Sequence, residues 1–156
     1  MKKSILKKII LVIVVLLIVI QFFGTKKNIS NEVSQNAIDK HYGVPANIQE
    51  VLKTSCYDCH SNNTDYPWYS NVQPVKWWLE GHVNEGKEEL NFDEFNTYSI
   101  KKKLHKLDEV IETVRKNEMP LKSYTIIHRN AKLSESEKLE LERWANDVKN
   151  QVRATQ

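Results

Sequence analysis

Cysteine, methionine, glycine and proline are all scarce: the 156 residues include two, two, four and four of them, respectively. Two cysteines are too few for a disulfide-stapled scaffold, and Cys56 and Cys59 lie too close to lock distant parts of the chain together. Their use must be local. Charge of one sign is lacking as well. The formal net charge of +3 owes part of its excess to lysines flanking the first apolar run, so the rest is nearly balanced and offers no nucleic-acid surface. Period-2 alternation never lasts beyond a few residues and no repeat is visible, which points to an all-α domain. The length suffices for one compact domain and not for two.

What is present starts with Lys2, Lys3, Lys7 and Lys8, followed by an unbroken apolar run over residues 9–20, with Phe22 and Phe23 just beyond Gln21. A charged region ahead of a hydrophobic one is an export signal, read either as a cleaved signal peptide or as a retained anchor. The exit Gln21-Phe22-Phe23-Gly24-Thr25-Lys26-Lys27 has no small-x-small cleavage site, which favours the anchor. Residues 5–23 approach the ~20 residues that a transmembrane helix needs, with Lys7 and Lys8 snorkelling to the headgroups. A buried core helix would rarely be β-branched all round. The lysines ahead of the span keep that end cytoplasmic, a bias that Lys26 and Lys27 weaken. The expected layout is a single-pass anchor over 1–24 in a bacterial inner membrane, a polar tether over 25–44 containing Asn28, Ser30, Asn31, Ser34, Gln35 and Asn36, and a periplasmic domain over 45–156.

In that domain, Ile48, Val51 and Leu52 recur at i, i+3, i+4 after Pro45, predicting a short helix from about Asn47 into the cysteine pair. Residues 62–71 read as an ordered loop over something apolar, because Tyr66, Trp68 and Tyr69 are costly to leave in water. Pro74 opens a second helix with Val75, Trp78, Leu79 and His82 on one face. Ile100, Leu104, Leu107, Ile111 and Val114 stripe a third, with Asn117 near its end and Pro120 stopping it. Ser134 with Glu137 forms a capping box for a last helix whose inner face is Leu141, Trp144, Ala145 and Val148. Trp144 is read as core.

Cys56-Tyr57-Asp58-Cys59-His60 has the spacing of c-type haem attachment. The two thiols add across the haem vinyl groups as thioethers, and the adjoining histidine is then held under the iron. Three other uses stand beside this one. A thiol-disulfide oxidoreductase would place Cys-x-x-Cys at a helix N-terminus beside a parallel sheet, whereas here a helix leads into the motif. A zinc site would have to recruit His60 and a distant histidine such as His82 or His128, without the usual paired spacing. A purely structural local disulfide closes almost no loop. Export agrees with haem, since c-type attachment in bacteria takes place outside the cytoplasmic membrane.

The other side of the iron needs a ligand. Met119, followed by Pro120 in the loop after the third helix, is the one methionine besides the first residue, and Met/His ligation raises the potential over bis-histidine. Its other reading is a core gap-filler. His82, on an apolar helix face, is the competing ligand, otherwise a hydrogen-bonded core residue. His105 lies off the third helix's stripe, His41 in the tether and His128 in a polar stretch, so each is a weak candidate.

Cys56-Tyr57-Asp58-Cys59-His60-Ser61-Asn62, Tyr66-Pro67-Trp68-Tyr69, Pro74 with Trp77 and Trp78, the stretch 82–86 and Met119-Pro120 together resemble the small bacterial haem-binding domain family, related in plan to class I cytochromes c. The resemblance implies a cytochrome c-like helical domain around one covalent haem c, with Cys56 and Cys59 as thioether anchors and His60 and Met119 as axial ligands. The long Lys/Glu-rich third helix departs from an ordinary class I cytochrome c, so no partner site carries over. The expected function is a membrane-tethered one-electron carrier serving redox partner proteins that the sequence does not identify, an electron carrier being favoured over an enzyme. A haem-based peroxidase or sensor with an exchangeable sixth ligand is the alternative, with His82 as its only acid-base candidate.

Overall fold

The computed structural model describes residues 2–30 and 32–155; Asn31, counted in the expected tether, lies outside the described residues. The described residues are helical, and their one β feature is an isolated antiparallel bridge between Ile29 and Asn63. The all-α expectation holds.

Helix α1 (Lys2–Ile20) is followed by the short α2 (Ile38–His41), then by α3 (Ala46–Ser55) and α4 (Tyr57–His60). α3 starts directly after Pro45 and buries Ile48, Val51 and Leu52, the spacing that predicted it. A 3₁₀ turn at Trp68–Asn71 leads into α5 (Val75–Glu89), and a second at Phe92–Thr97 leads into α6 (Ile100–Arg115). Ser99 caps α6, its hydroxyl accepting from the Lys102 amide at 3.3 Å, and Asn117 ends that turn in the left-handed region at φ 58°. α7 (Lys122–Ile127) precedes α8 (Glu135–Ala154), which opens with the full Ser134/Glu137 capping box.

The core forms where α6 and α8 pack along each other and α3 crosses α8. Leu107 and Val114 meet Leu141, Trp144, Ala145, Val148 and Val152, with Leu52 and Phe95 fully enclosed. Trp144 is core, as expected, and its indole N–H is satisfied by the Gly43 carbonyl at 3.0 Å. Two lysines of α6 are also buried. Lys103 donates to Asn96 at 2.7 Å and to the Tyr42 hydroxyl at 3.2 Å, and Lys106 pairs with Glu89 at 2.8 Å and Glu109 at 2.7 Å. Long stems cover apolar surface while each ammonium finds its acceptors.

Three expectations need correction. Residues 25–44 are not a free tether: Ala37, Ile38 and Tyr42 are buried, and Tyr42 packs edge-on against Phe95 at 5.8 Å. One helical turn carries these side chains inward, too short a run to register as a period. In α5, the face holding Val75 and Trp78 is exposed, and only Val83 is buried. The packing face is the one with Gly86, where an added Cβ would sit 2.6 Å from the Cys59 carbonyl oxygen. Glycine lets α5 approach α4 more closely than any apolar stripe could. In the aromatic loop, Trp68 is 80 % exposed while Ser70 is buried.

α1 presents its apolar side chains from Ile5 to Val19 to the outside on every face. The transmembrane helix expected over 1–24 is not found as such: among the described residues, no helix is long and apolar enough to cross a membrane. The lysines of its first two turns leave an uninterrupted apolar run over residues 9–20, roughly 18 Å at the helical rise, against about 30 Å of hydrocarbon.

Ile38→Ala is expected to destabilise the domain by about 2–5 kcal/mol, the range for emptying a fully enclosed isoleucine site. Urea unfolding followed by helical circular dichroism checks this, and a free tether would give no change.

Candidate functional site

The cysteine motif is shaped by backbone bonds. The Cys56 amide closes α3 on the Leu52 carbonyl at 2.9 Å, and the amides of Cys59 and His60 both return to the Cys56 carbonyl, at 3.2 and 3.0 Å. This single turn sets Cys56, Cys59 and His60 along one wall of a cavity. The cavity has two adjoining lobes of about 300 and 380 Å³, the size of cofactor sites, with mostly apolar walls. Cys56, His60 and Met119 line both lobes, whereas Cys59, His82 and Tyr124 line the first alone.

His60 is held from behind. Its Nδ1 lies 2.9 Å from the Leu90 carbonyl oxygen, which can only accept, so Nδ1 carries the proton and Nε2 keeps a free lone pair. That is the arrangement of a metal-ligating histidine with its outer partner. Phe92 packs edge-on against the ring at 6.5 Å. Met119 arrives by a different route: beyond Asn117, the amides of Glu118 and Met119 fold back onto the Thr113 carbonyl at 2.9 and 3.2 Å. The half-buried Met119 side chain packs against the core.

The remaining histidines separate. His82 packs against Trp78 with ring centroids 4.4 Å apart and the planes tilted, its Nδ1 3.1 Å from the Trp78 carbonyl, and it lines the first lobe. His105 is exposed and faces Glu109 at 3.3 Å, and His41 bonds the Gln35 carbonyl at 2.8 Å. His128 stacks on Tyr124 at 4.3 Å and bonds the Tyr69 hydroxyl at 2.5 Å. None of these three lines either lobe.

Both cysteines are free thiols. Burial, and then the neighbouring Cys59, push the Cys56 thiol up to about 12; burial, and then Asp58, push Cys59 up to about 11. A redox-active pair needs a thiol lowered toward neutrality, so these argue against the oxidoreductase reading. Among the described residues, no three His, Cys, Asp or Glu side chains gather as a metal cage, and the zinc set is not assembled. A macrocycle, by contrast, asks for what the cavity has: two thiols on one edge, a ring nitrogen fixed by its partner, a thioether, and apolar walls.

Sequence reasoning missed the polar frame of the motif. Asp58 accepts from the Asp65 amide at 2.9 Å and from the Tyr124 hydroxyl at 2.6 Å, and burial together with that bond raises the Tyr124 phenol well above its usual range. Asn62 donates from its amide to Asp93 at 2.7 Å and from its side chain to Glu94 at 2.9 Å, while its side-chain oxygen accepts from Asn91 at 2.8 Å. Asn28 donates to the Ser61 carbonyl and to the Thr64 hydroxyl, each at 2.9 Å, and accepts from Lys87 at 2.6 Å. The available signal was the density of Asn and Asp on both sides of the histidine, which reads equally well as solvated loop.

A family model described as a haem-binding domain matches residues 15–147, and the chain belongs to that family. No curated protein and no solved structure matches it. The match starts well inside the apolar N-terminal run and takes in the docked segment over 25–44.

In the folded chain without haem, the raised thiols stay protonated at pH 8, so iodoacetamide should alkylate them roughly tenfold or more slowly than in urea. Their reactivity should climb only towards pH 11. Because the folded values lie above the ordinary thiol value of 9.0, this contribution to stability is complete below about pH 9 and is lost as pH rises towards 11–12. Gly86→Ala should cost about 1–3 kcal/mol through overpacking against Cys59, measured by urea unfolding.

Proposed function

We propose that this chain is a c-type haem protein, tethered by α1 to the bacterial inner membrane with its folded domain in the periplasm, and that it carries single electrons between redox partners. The observation that carries this reading is one cavity wall: Cys56 and Cys59 on a single turn beside His60, whose Nδ1 is tied to the Leu90 carbonyl, with Met119 lining both lobes as well. When bound, haem supplies one-electron chemistry through the Fe(III)/Fe(II) couple.

The chain's residues divide the remaining work. Cys56 and Cys59 would hold the ring covalently, through thioethers to its two vinyl groups. His60 would offer Nε2 and Met119 its sulfur to the iron, and a ligand pair kept in both oxidation states would keep reorganisation small. Apolar walls that include Leu90, Val110, Leu133 and Leu141 keep water from the ring. A thioether and an imidazole together would set a higher potential than two imidazoles. The tether rests on α1: its apolar side chains are exposed on all sides, Lys7 and Lys8 can reach headgroups, and Phe22 and Phe23 extend the apolar length.

One observation keeps the alternative alive: His82 shares the lobe that both cysteines line. A histidine there serves a peroxidase or sensor with an exchangeable sixth position, or bis-histidine coordination.

The test is the optical spectrum of the chain produced with a c-type maturation system. Colour should stay with the protein through acid-acetone extraction, and Cys56→Ala with Cys59→Ala should release it. Met119→Ala should abolish the weak sulfur-to-iron(III) charge-transfer band and shift the reduction potential on the order of a hundred millivolts or more. No retained haem overturns the reading. An unchanged spectrum in Met119→Ala moves the sixth ligand to His82, or leaves that position open.

A further inference from the structure

An unexplained apolar surface lies where α1 leaves its last turn. Phe22 is 83 % exposed and Trp68 80 %, and Phe23, Val72, Val75, Trp77 and Trp78 are exposed as well. These are not scattered residues. Gln21 bonds both ways with the Gln73 backbone, its side-chain oxygen accepting from the Gln73 amide at 3.0 Å and its side-chain amide donating to the Gln73 carbonyl at 3.2 Å. The Gln73 side chain donates to the Phe23 carbonyl at 2.8 Å, and the Trp77 indole N–H donates to the same oxygen at 3.0 Å. The end of α1 is thus clamped to the turn between Trp68–Asn71 and α5, and the aromatic residues surround the clamp.

We infer that this face, built from Phe22, Phe23, Trp68, Val72, Trp77 and Trp78, docks into the headgroup layer of the bilayer and holds the domain in one orientation on the membrane. The inference rests on the reading that α1 enters the bilayer. Several features select lipid as the occupant. The patch is continuous with α1, whose all-round apolar surface no single globular groove covers. Tryptophan, with an apolar body and a polar N–H, is the residue that settles at the membrane interface. Cations stand around the patch: Lys26 and Lys27 follow it in the chain, and the Lys76 ammonium lies where a Cβ on Gly24 would meet it at 2.9 Å. Their charge suits anionic lipid headgroups. The patch also lengthens an anchor whose uninterrupted apolar run is too short by itself.

The geometry gives the docking a consequence for the site. Trp77 and Trp78 lie in the first turn of α5, and His82, Glu85, Gly86 and Glu89 of the same helix line the first lobe of the cavity. Along a helix that separation is roughly 6–18 Å. A face seated in the headgroups therefore keeps the cavity next to the membrane surface, within reach of a membrane-embedded redox partner.

Nitroxide labels test this on the full chain in vesicles of phosphatidylcholine with phosphatidylglycerol, placed through Val72→Cys in the patch, Val14→Cys in α1 and Asn146→Cys on the exposed side of α8. Collisions with oxygen and with a water-soluble nickel chelate report depth. At Val72 the oxygen-to-nickel ratio should exceed that at Asn146 several-fold, and Trp68→Ser with Trp77→Ser should bring it down to the Asn146 value with helical circular dichroism unchanged. A Val72 ratio equal to that at Asn146 in the parent chain overturns the docking, and a high ratio at Val14 in that same sample shows the anchor reading intact. Water-like ratios at both Val14 and Val72 defeat the anchor and the docking together. Low access to both reagents at Val72, with broadening between labels, means that a second copy covers the face, and this too overturns the inference.

Discussion

His60 owes its tautomer to a contact between two helices, made by residues thirty positions apart in the chain. The Leu90 carbonyl that accepts the hydrogen bond from its Nδ1–H sits at the C-cap of α5, and α5 can bring it there only because Gly86 leaves room for the Cys59 backbone. One missing Cβ therefore sets the distance between the motif and its outer partner. If α5 stood further off, the imidazole would lose its tautomer, and the first lobe would lose the wall formed by His82, Glu85 and Glu89.

The motif's exit is framed by polar bonds instead of apolar packing. Asn62 and Asn28 spend nearly all their hydrogen-bonding capacity there, on Asp93, Glu94, Asn91, Ser61, Thr64 and Lys87. Such a network is costly when incomplete and rigid when complete. Among the described residues, no buried side-chain nitrogen or oxygen lacks a partner. The network also draws the segment over 25–44 into the domain, so the chain leading up from α1 becomes part of the site's scaffold. Rigidity at this point suits a group that must hold a flat ligand's edge in one place.

The second lobe adds electrostatics to the same wall. Lys106 lines it, deep enough that burial works against its charge, yet Glu109 and Glu89 overcome that cost and hold the lysine above its usual range. Glu89 is lowered in return, first through its hydrogen bond with Lys106. The pair joins α5 to α6 across the rim of the cavity, so the helices that carry the Leu90 carbonyl and the Met119 loop are fixed relative to each other.

The sequence by itself determined the helical class, α3 with its inner face, the faces of α6 and α8, the cap of α8, and the five-residue motif. Each of these is local: a helix advertises its buried side by period, a cap by two residues three apart, and the cysteine-histidine motif by fixed spacing. Only the tertiary structure decided which face of α5 packs, because glycine leaves no hydrophobic signal, and only it showed that Ile38 and Tyr42 belong to the core. It also joined His60 to Leu90, Asn62 to Asp93 and Asp58 to Tyr124. Those bonds link residues up to 66 positions apart, and hydrogen bonding between distant loops has no periodicity to read. Met119 stands between the two cases: its proline marked the loop, but the fold-back onto Thr113 is what carried its side chain to the cavity that His60 lines.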